Sequence, residues 1–213
     1  MILQSMKDMT AGMLLFLPFV LVFQLSAFFY RKRKGLKTTL LQELLLLLFW
    51  LWTLGLFSQT ILPELLAALK TGFHWDGRIN WTPFAAFRQA LTIARRTGDP
   101  SFFLLNIPGN ILIFLPLGLL PPLLWGKMEK LWKTALFGFG VSLFIEVTQL
   151  ILPRGTDVDD LLLNTFGTLL GYALFALIRK RFPNFPARCR HRPAAERNAL
   201  WKKSENFSKN TGS

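Results

Sequence analysis

Ser142, Glu146 and Gln149 follow one another at i, i+4 and i+7 within an apolar run, so one face of a helix carries a hydroxyl, a carboxylate and an amide in line. Asn106 and Asn110 repeat the i, i+4 step in an earlier apolar run, interrupted by Pro108 and Gly109. The segment 153–160 carries Arg154 and the carboxylates Asp157, Asp159 and Asp160, and Asp160 to Asn164 is one more i, i+4 step. Such groups are costly in hydrocarbon, roughly 2.5–3.5 kcal/mol for a charge at a helix centre, so each one needs a physical reason. A carboxylate in that setting pairs, binds a cation or takes up a proton, because desolvation disfavours its charged form. Glu146, Asp157, Asp159 and Asp160 offer oxygen ligands that suit a hard divalent cation, Mg²⁺ or Ca²⁺, better than zinc. Arg154, and Arg88 upstream, carry the planar fork that matches a phosphate.

The elements that must position these groups belong in a membrane. Of 213 residues, 52% are apolar and 17% charged, a balance too greasy for a soluble domain. Five stretches, near 11–30, 40–62, 101–125, 134–153 and 161–178, approach or exceed the roughly 20 apolar residues that cross a bilayer core. The runs are continuous rather than alternating, which selects helices over barrel strands. The expected fold is therefore all-α, a polytopic membrane bundle of about five transmembrane helices. The first stretch has no small-residue cleavage site and runs straight into Arg31, Lys32, Arg33 and Lys34, as an uncleaved anchor does.

A net charge of +13, from 25 Lys+Arg against 12 Asp+Glu, would suit nucleic acid. Here the charges lie between apolar runs, so a membrane topology accounts for them and no nucleic-acid partner is expected. Most of the Lys and Arg fall in 31–39, 126–133 and 179–213, which predicts N-out/C-in; Arg95 and Arg96 run against the bias. The chain then divides into two N-terminal helices (1–62), an extracytoplasmic loop (63–100), a core of three helices (101–180) and a basic cytoplasmic tail (181–213). Within the loop, Phe84, Phe87, Leu91 and Ala94 recur at helical spacing with Arg88, Arg95 and Arg96 off that face, which predicts an amphipathic helix lying in the interface. The tail, with Pro183, Pro186 and Pro193 and no apolar period, is expected to be unstructured and to serve as an electrostatic anchor on anionic lipid. A single Cys189 excludes an internal disulfide, and His74 and His191 alone do not suggest a histidine metal site.

In this topology Glu146 lies about 10 Å below the outer surface, with Asn106 and Asn110 at roughly 8 and 14 Å. Pro108 lacks an N–H and is expected to kink or break its helix there, which is tolerated only where backbone lines a cavity or is buried in protein. Polar groups from separate segments thus converge on one outer-leaflet region, provided an odd number of crossings separates them. Gly167 and Gly171 form a small-xxx-small pair for close helix packing, within one chain or between two.

These residues resemble a known family. The run Asn106-Ile107-Pro108-Gly109-Asn110-Ile111 through Pro116-Leu117-Gly118, followed by Glu146-Val147-Thr148-Gln149, Arg154, Asp157, Asp160, Asn164, Gly167 and Gly171-Tyr172, looks like the VanZ-like membrane family. Asn80-Trp81-Thr82-Pro83-Phe84 resembles that family's upstream Asn-x-x-Pro-Phe element. The resemblance spans 79–172 and implies a multi-pass protein of the bacterial inner membrane. The family is named for low-level resistance to teicoplanin, a lipoglycopeptide that binds cell-wall precursors.

Four readings follow. In the first, the polar region binds the head group of a lipid or lipid-linked peptidoglycan precursor, with Asn106, Asn110, Glu146, Gln149, Arg154, Asp157, Asp160, Asn164 and Arg88 as candidate contacts. In the second, Glu146 is a general base and Asp157 and Asp160 hold a metal that polarises a phosphoryl or acyl group; no Ser or Cys nucleophile with a His base and no P-loop is present. In the third, the polar groups bond helix to helix, at about 0.6–2 kcal/mol each. The fourth, transport, draws on the broken third helix but lacks an internal repeat.

Overall fold

The computed structural model describes residues 2–73, 79–152, 156–190 and 192–193. Helices α1 (Ile2–Arg33), α2 (Leu40–Thr60) and α3 (Leu62–Thr71) come first, then α4 (Ala85–Thr97), α5 (Ser101–Asn106), α6 (Pro108–Leu124), α7 (Leu131–Ile151), α8 (Val158–Arg181) and the short α9 (Phe185–Arg188). Four two-residue strands, β1 (Leu36–Lys37), β2 (Ile79–Asn80), β3 (Thr156–Asp157) and β4 (Arg192–Pro193), only stitch loops together. Five stretches, Lys7–Arg33, Leu40–Thr71, Ser101–Leu124, Leu131–Ile151 and Val158–Arg181, are long and apolar enough to cross a membrane. The all-α bundle and its five spans agree with the sequence reading. The second span is longer than expected because α3 continues it past a break at Ile61, where Pro63 opens the new helix without needing an N–H partner.

Local chemistry fixes the helix ends. Thr39 caps α2 by accepting the Gln42 N–H at 3.2 Å, and Glu43 adds a carboxylate to the first turn, where the helix dipole favours it. The break expected at Pro108 is present: α5 stops at Asn106, Ile107 bridges, and α6 starts at Pro108. Within α6, the Ile113 carbonyl accepts the Trp52 indole N–H at 2.8 Å, so a neighbouring helix supplies a polar contact inside the apolar layer.

The core is built on α6. Phe114, Leu117, Leu120 and Leu124 of α6 bury against Leu46, Phe49 and Leu56 of α2 and Ile145 of α7. Against α8 the approach is backbone to backbone: a Cβ on Gly167 would lie 2.2 Å from the Ile111 carbonyl oxygen, and one on Gly171 would lie 2.0 Å from that of Leu115. From the α6 side, a Cβ on Gly118 would lie 1.9 Å from the Thr168 carbonyl oxygen. The small-xxx-small pair is therefore used within the chain. Outward-facing Leu14, Phe19, Val22, Leu112, Leu136, Phe144, Phe166 and Leu177 are exposed, as side chains in contact with lipid are.

Loop pairing sorts the connections into two ends. At one end β2 runs parallel to β3, with Asn80 opposite Asp157, so the approach to α4 lies beside the start of α8. At the other end β1 pairs antiparallel with β4, joining the α1–α2 turn to the segment after α8.

That second pairing corrects part of the expectation for 181–213. Residues 191 and 194–213 lie outside the described residues, but 182–190 and 192–193 are docked rather than loose. Arg190 donates to the Leu123 carbonyl at 3.2 Å and the Pro122 carbonyl at 2.5 Å and forms an ion pair with Glu129, which Arg179 also contacts at 3.2 Å. Carbonyls at a helix C-terminus lack intrahelical partners and carry partial negative charge, so a guanidinium there completes α6. Cys189 is fully buried against Leu123 and Phe175, and that burial pushes its thiol above the usual value, with Arg190 acting in the opposite direction. Arg190→Met is expected to open this contact and raise the rate of Cys189 modification by maleimide about tenfold, since a lost charged hydrogen bond is worth about 1.5–3 kcal/mol.

Candidate functional site

Asp157 starts the site by capping α8: its Oδ1 accepts the Asp159 N–H at 3.0 Å, a short polar side chain folding back on the first turn. Its Oδ2 accepts the Asn80 side-chain amide at 3.1 Å, and its own N–H points to Glu146 Oε2 at 3.3 Å. Asn80 in turn accepts the Thr82 N–H at 3.2 Å, which shapes the turn into α4. A carboxylate on α7, the cap of α8 and the loop before α4 are thus one hydrogen-bonded unit.

Asp159 extends that unit. Only 4% exposed, it accepts the Phe84 N–H at 2.6 Å through Oδ1 and the Ala86 N–H at 2.8 Å through Oδ2. The residue before α4, Phe84, has φ 62 and offers no side-chain cap of its own. A carboxylate from α8 therefore serves as the missing cap, satisfying amides that the helix leaves open and meeting the positive end of its dipole. Aromatic packing of Phe87 on Phe103, with centroids 5.7 Å apart, holds the other side of α4 against α5.

The remaining candidates separate by depth and partner. Asn110 donates to Asp160 Oδ1 at 2.7 Å, tying the start of α6 to the start of α8. Deeper in the seam, buried Asn164 donates to Ser142 at 3.0 Å. Gln149 leaves the group and donates to the Thr60 carbonyl at 2.9 Å, closing the end of α2. Asn106 donates to Phe102 O at 2.7 Å within its own helix, so it is not drawn in. Arg88 is exposed on α4 and makes no ion pair among the described residues. Arg154 lies outside the described residues.

Among the described residues, no three His, Cys, Asp or Glu side chains gather as a metal cage. Glu146 and Asp160 both have further partners, and the oxygens of Asp157 and Asp159 face amide donors. Three participants are not legible as contacts in the sequence: Asn80, visible only as part of a short motif, and the backbone amides of Phe84 and Ala86. Asp159 was singled out only as a metal ligand. Its position two residues after a helix-starting Asp gives no hint of a partner 73 or 75 residues earlier.

A family model described as VanZ/LLP1 matches residues 43–179, from the start of α2 to the end of α8. The chain belongs to the VanZ/LLP1 family. Every hydrogen bond of the site lies inside the family region, whereas α1 and the docked segment after α8 flank it. Protein VanZ from Enterococcus faecium is 33% identical over 113 residues, covering 51% of this chain and 59% of that protein. The similarity therefore spans less than two thirds of that relative. No solved structure matches this VanZ/LLP1 chain.

Proposed function

We propose that this membrane protein recognises the anionic head group of a lipid or lipid-linked peptidoglycan precursor at the outer leaflet of a bacterial cytoplasmic membrane. The observation that carries the reading is the Asp159 clasp, in which a buried carboxylate at the start of a spanning helix is committed to two amides of α4. Its consequence is a fixed platform at the end of the bundle bearing exposed Trp81, Phe84, Phe87 and Arg88. Aromatic rings favour the head-group layer, and an arginine fork matches a phosphate.

In this reading Arg88 and Arg154 contact phosphate, while Asp157, Asp159, Asp160, Asn80 and Asn110 hold the platform. The N-out/C-in orientation puts the platform outside, and the Lys- and Arg-rich segments 31–39, 126–133 and 179–190 share the opposite end. Holding a wall precursor near its lipid end would interfere with a lipoglycopeptide that binds the same molecule, in keeping with the family's name. The purely structural reading accounts for Gln149 and Asn164, whose bonds tie helix to helix.

The test is binding of a lipid-linked disaccharide-peptide precursor to the full chain in phosphatidylcholine nanodiscs. Arg88→Gln is expected to weaken binding about tenfold, the scale of one charged hydrogen bond. Unchanged affinity in a folded Arg88→Gln protein counts against the proposal.

A further inference from the structure

At the other end of the molecule, α8 leaves the apolar layer through the turn Phe182-Pro183-Asn184 and passes into α9. Arg181, Phe182, Pro183, Asn184, Phe185 and Arg188 line a concavity of about 290 Å³. Its backbone is anchored. Phe185 packs on the cluster of Leu123, Phe175 and Cys189, its N–H donates to the Phe182 carbonyl at 3.0 Å, and the Arg188 carbonyl accepts the Thr39 hydroxyl at 3.3 Å.

The charges here divide cleanly. Arg179 and Arg190 are both satisfied by Glu129. Arg181 and Arg188, the pair that lines the concavity, have no carboxylate partner among the described residues. Three cations in the last turn of α8 meet the negative end of its dipole, so the second helix adds a further, uncompensated positive charge. Two guanidinium groups and the Asn184 amide offer donors and no competing anion.

We infer that this concavity is a binding site for a phosphate-bearing anion, the head group of an anionic membrane lipid. Guanidinium forks donate to two phosphate oxygens each, and the volume is at the small end of ligand pockets (~300–1,000 Å³), right for a head group rather than a whole lipid. Depth selects a lipid over soluble phosphate: the site opens where a spanning helix emerges, and Phe182 beside it is 61% exposed, an aromatic ring placed to lie among acyl chains. The site is independent of the outer platform and would stand if that reading failed.

Native mass spectrometry of the full chain in uncharged detergent, with phosphatidylglycerol, phosphatidylcholine and inorganic phosphate as probes, tests the site. One phosphatidylglycerol should be retained per chain and bind about tenfold more tightly than phosphatidylcholine; Arg181→Gln with Arg188→Gln should lose that margin. Lys32→Gln with Arg33→Gln, the same charge removed from exposed positions at the same end, should change affinity by less than about twofold. Arg181→Lys with Arg188→Lys, which keeps charge and loses the fork, should fall between and serves if the glutamine pair does not fold. Displacement of the lipid by millimolar inorganic phosphate would keep the anion site but overturn its assignment to lipid. Equal losses in both glutamine pairs, unchanged binding in the lysine pair, or no preference for phosphatidylglycerol would overturn the site itself.

Discussion

Asp159→Asn is expected to free α4 from the bundle. The amide keeps one acceptor oxygen and turns an N–H donor toward either Phe84 or Ala86, so one of the two bonds is lost and the charge facing the helix dipole disappears. A hydrogen bond to a charged group contributes about 1.5–3 kcal/mol, and a buried donor left unpaired adds a comparable penalty. Phe84 also sits at φ 62, a left-handed conformation that costs an L-residue about 1–2 kcal/mol and that the clasp helps to hold. Loss of the clasp lets that strain relax outward. The measurable outcome is local: amide exchange at Phe84 and Ala86 should accelerate at least about tenfold, and trypsin should cut after Arg88, Arg95 and Arg96 while the five spans remain folded. Phe84→Gly, which keeps the N–H and removes the strain, should leave the clasp protected. If Asp159→Asn left exchange and cleavage unaltered, the carboxylate would not be holding the helix. The same variant gives the outer platform a second test, because precursor binding should fall further than in Arg88→Gln.

Gly171→Ala should cost more of the global stability than any other single methyl addition at a described glycine of α7 or α8. Its Cβ would lie 2.0 Å from the Leu115 carbonyl oxygen and 2.9 Å from the Gly118 Cα, both backbone atoms of a helix that is itself pinned against α2. Neither can rotate away, so α6 and α8 must separate, and the carbonyl contacts across the seam go with them. Overpacking of a core typically costs about 1–3 kcal/mol, and a backbone obstacle belongs at or beyond the upper end. Gly140→Ala on α7, whose added Cβ meets nothing within 4 Å, is the matched control and should be neutral or slightly stabilising through helix propensity. Thermal unfolding in detergent, followed by size-exclusion recovery, separates the two. Equal recovery of Gly171→Ala and Gly140→Ala would mean that the helices are not as close as the geometry requires.

The two ends of the bundle differ in how legible they were. The number of spans, their approximate limits and the break at Pro108 follow from run length and from one missing N–H, both local properties of the chain. Helix α4 followed from apolar spacing in 84–94, although its buried contact proved to be Ala90 rather than the aromatics, which stay exposed. For 182–190 the docking was not legible, because proline and positive charge describe a segment's intrinsic preference. What docks it are groups supplied from elsewhere, the open carbonyls of α6 and the carboxylate of Glu129.

The same division runs through the site. The sequence by itself determined that Glu146, Asp160, Asn110 and Asn164 would lie at helical spacing on spans entering from one side, with Asp157 in the turn between two of them, because period and hydrophobic length are written in neighbouring residues. The tertiary structure decided their partners. Asp157 takes Asn80, Asp160 takes Asn110, Asn164 takes Ser142, and Asp159 caps a helix it does not belong to, while Asn106 and Gln149 turn elsewhere. A hydrogen bond is settled within a few tenths of an ångström and a few tens of degrees. That precision comes from the contact of α6 with α8 at Gly118, Gly167 and Gly171, which sets how far apart the carboxylates and amides stand.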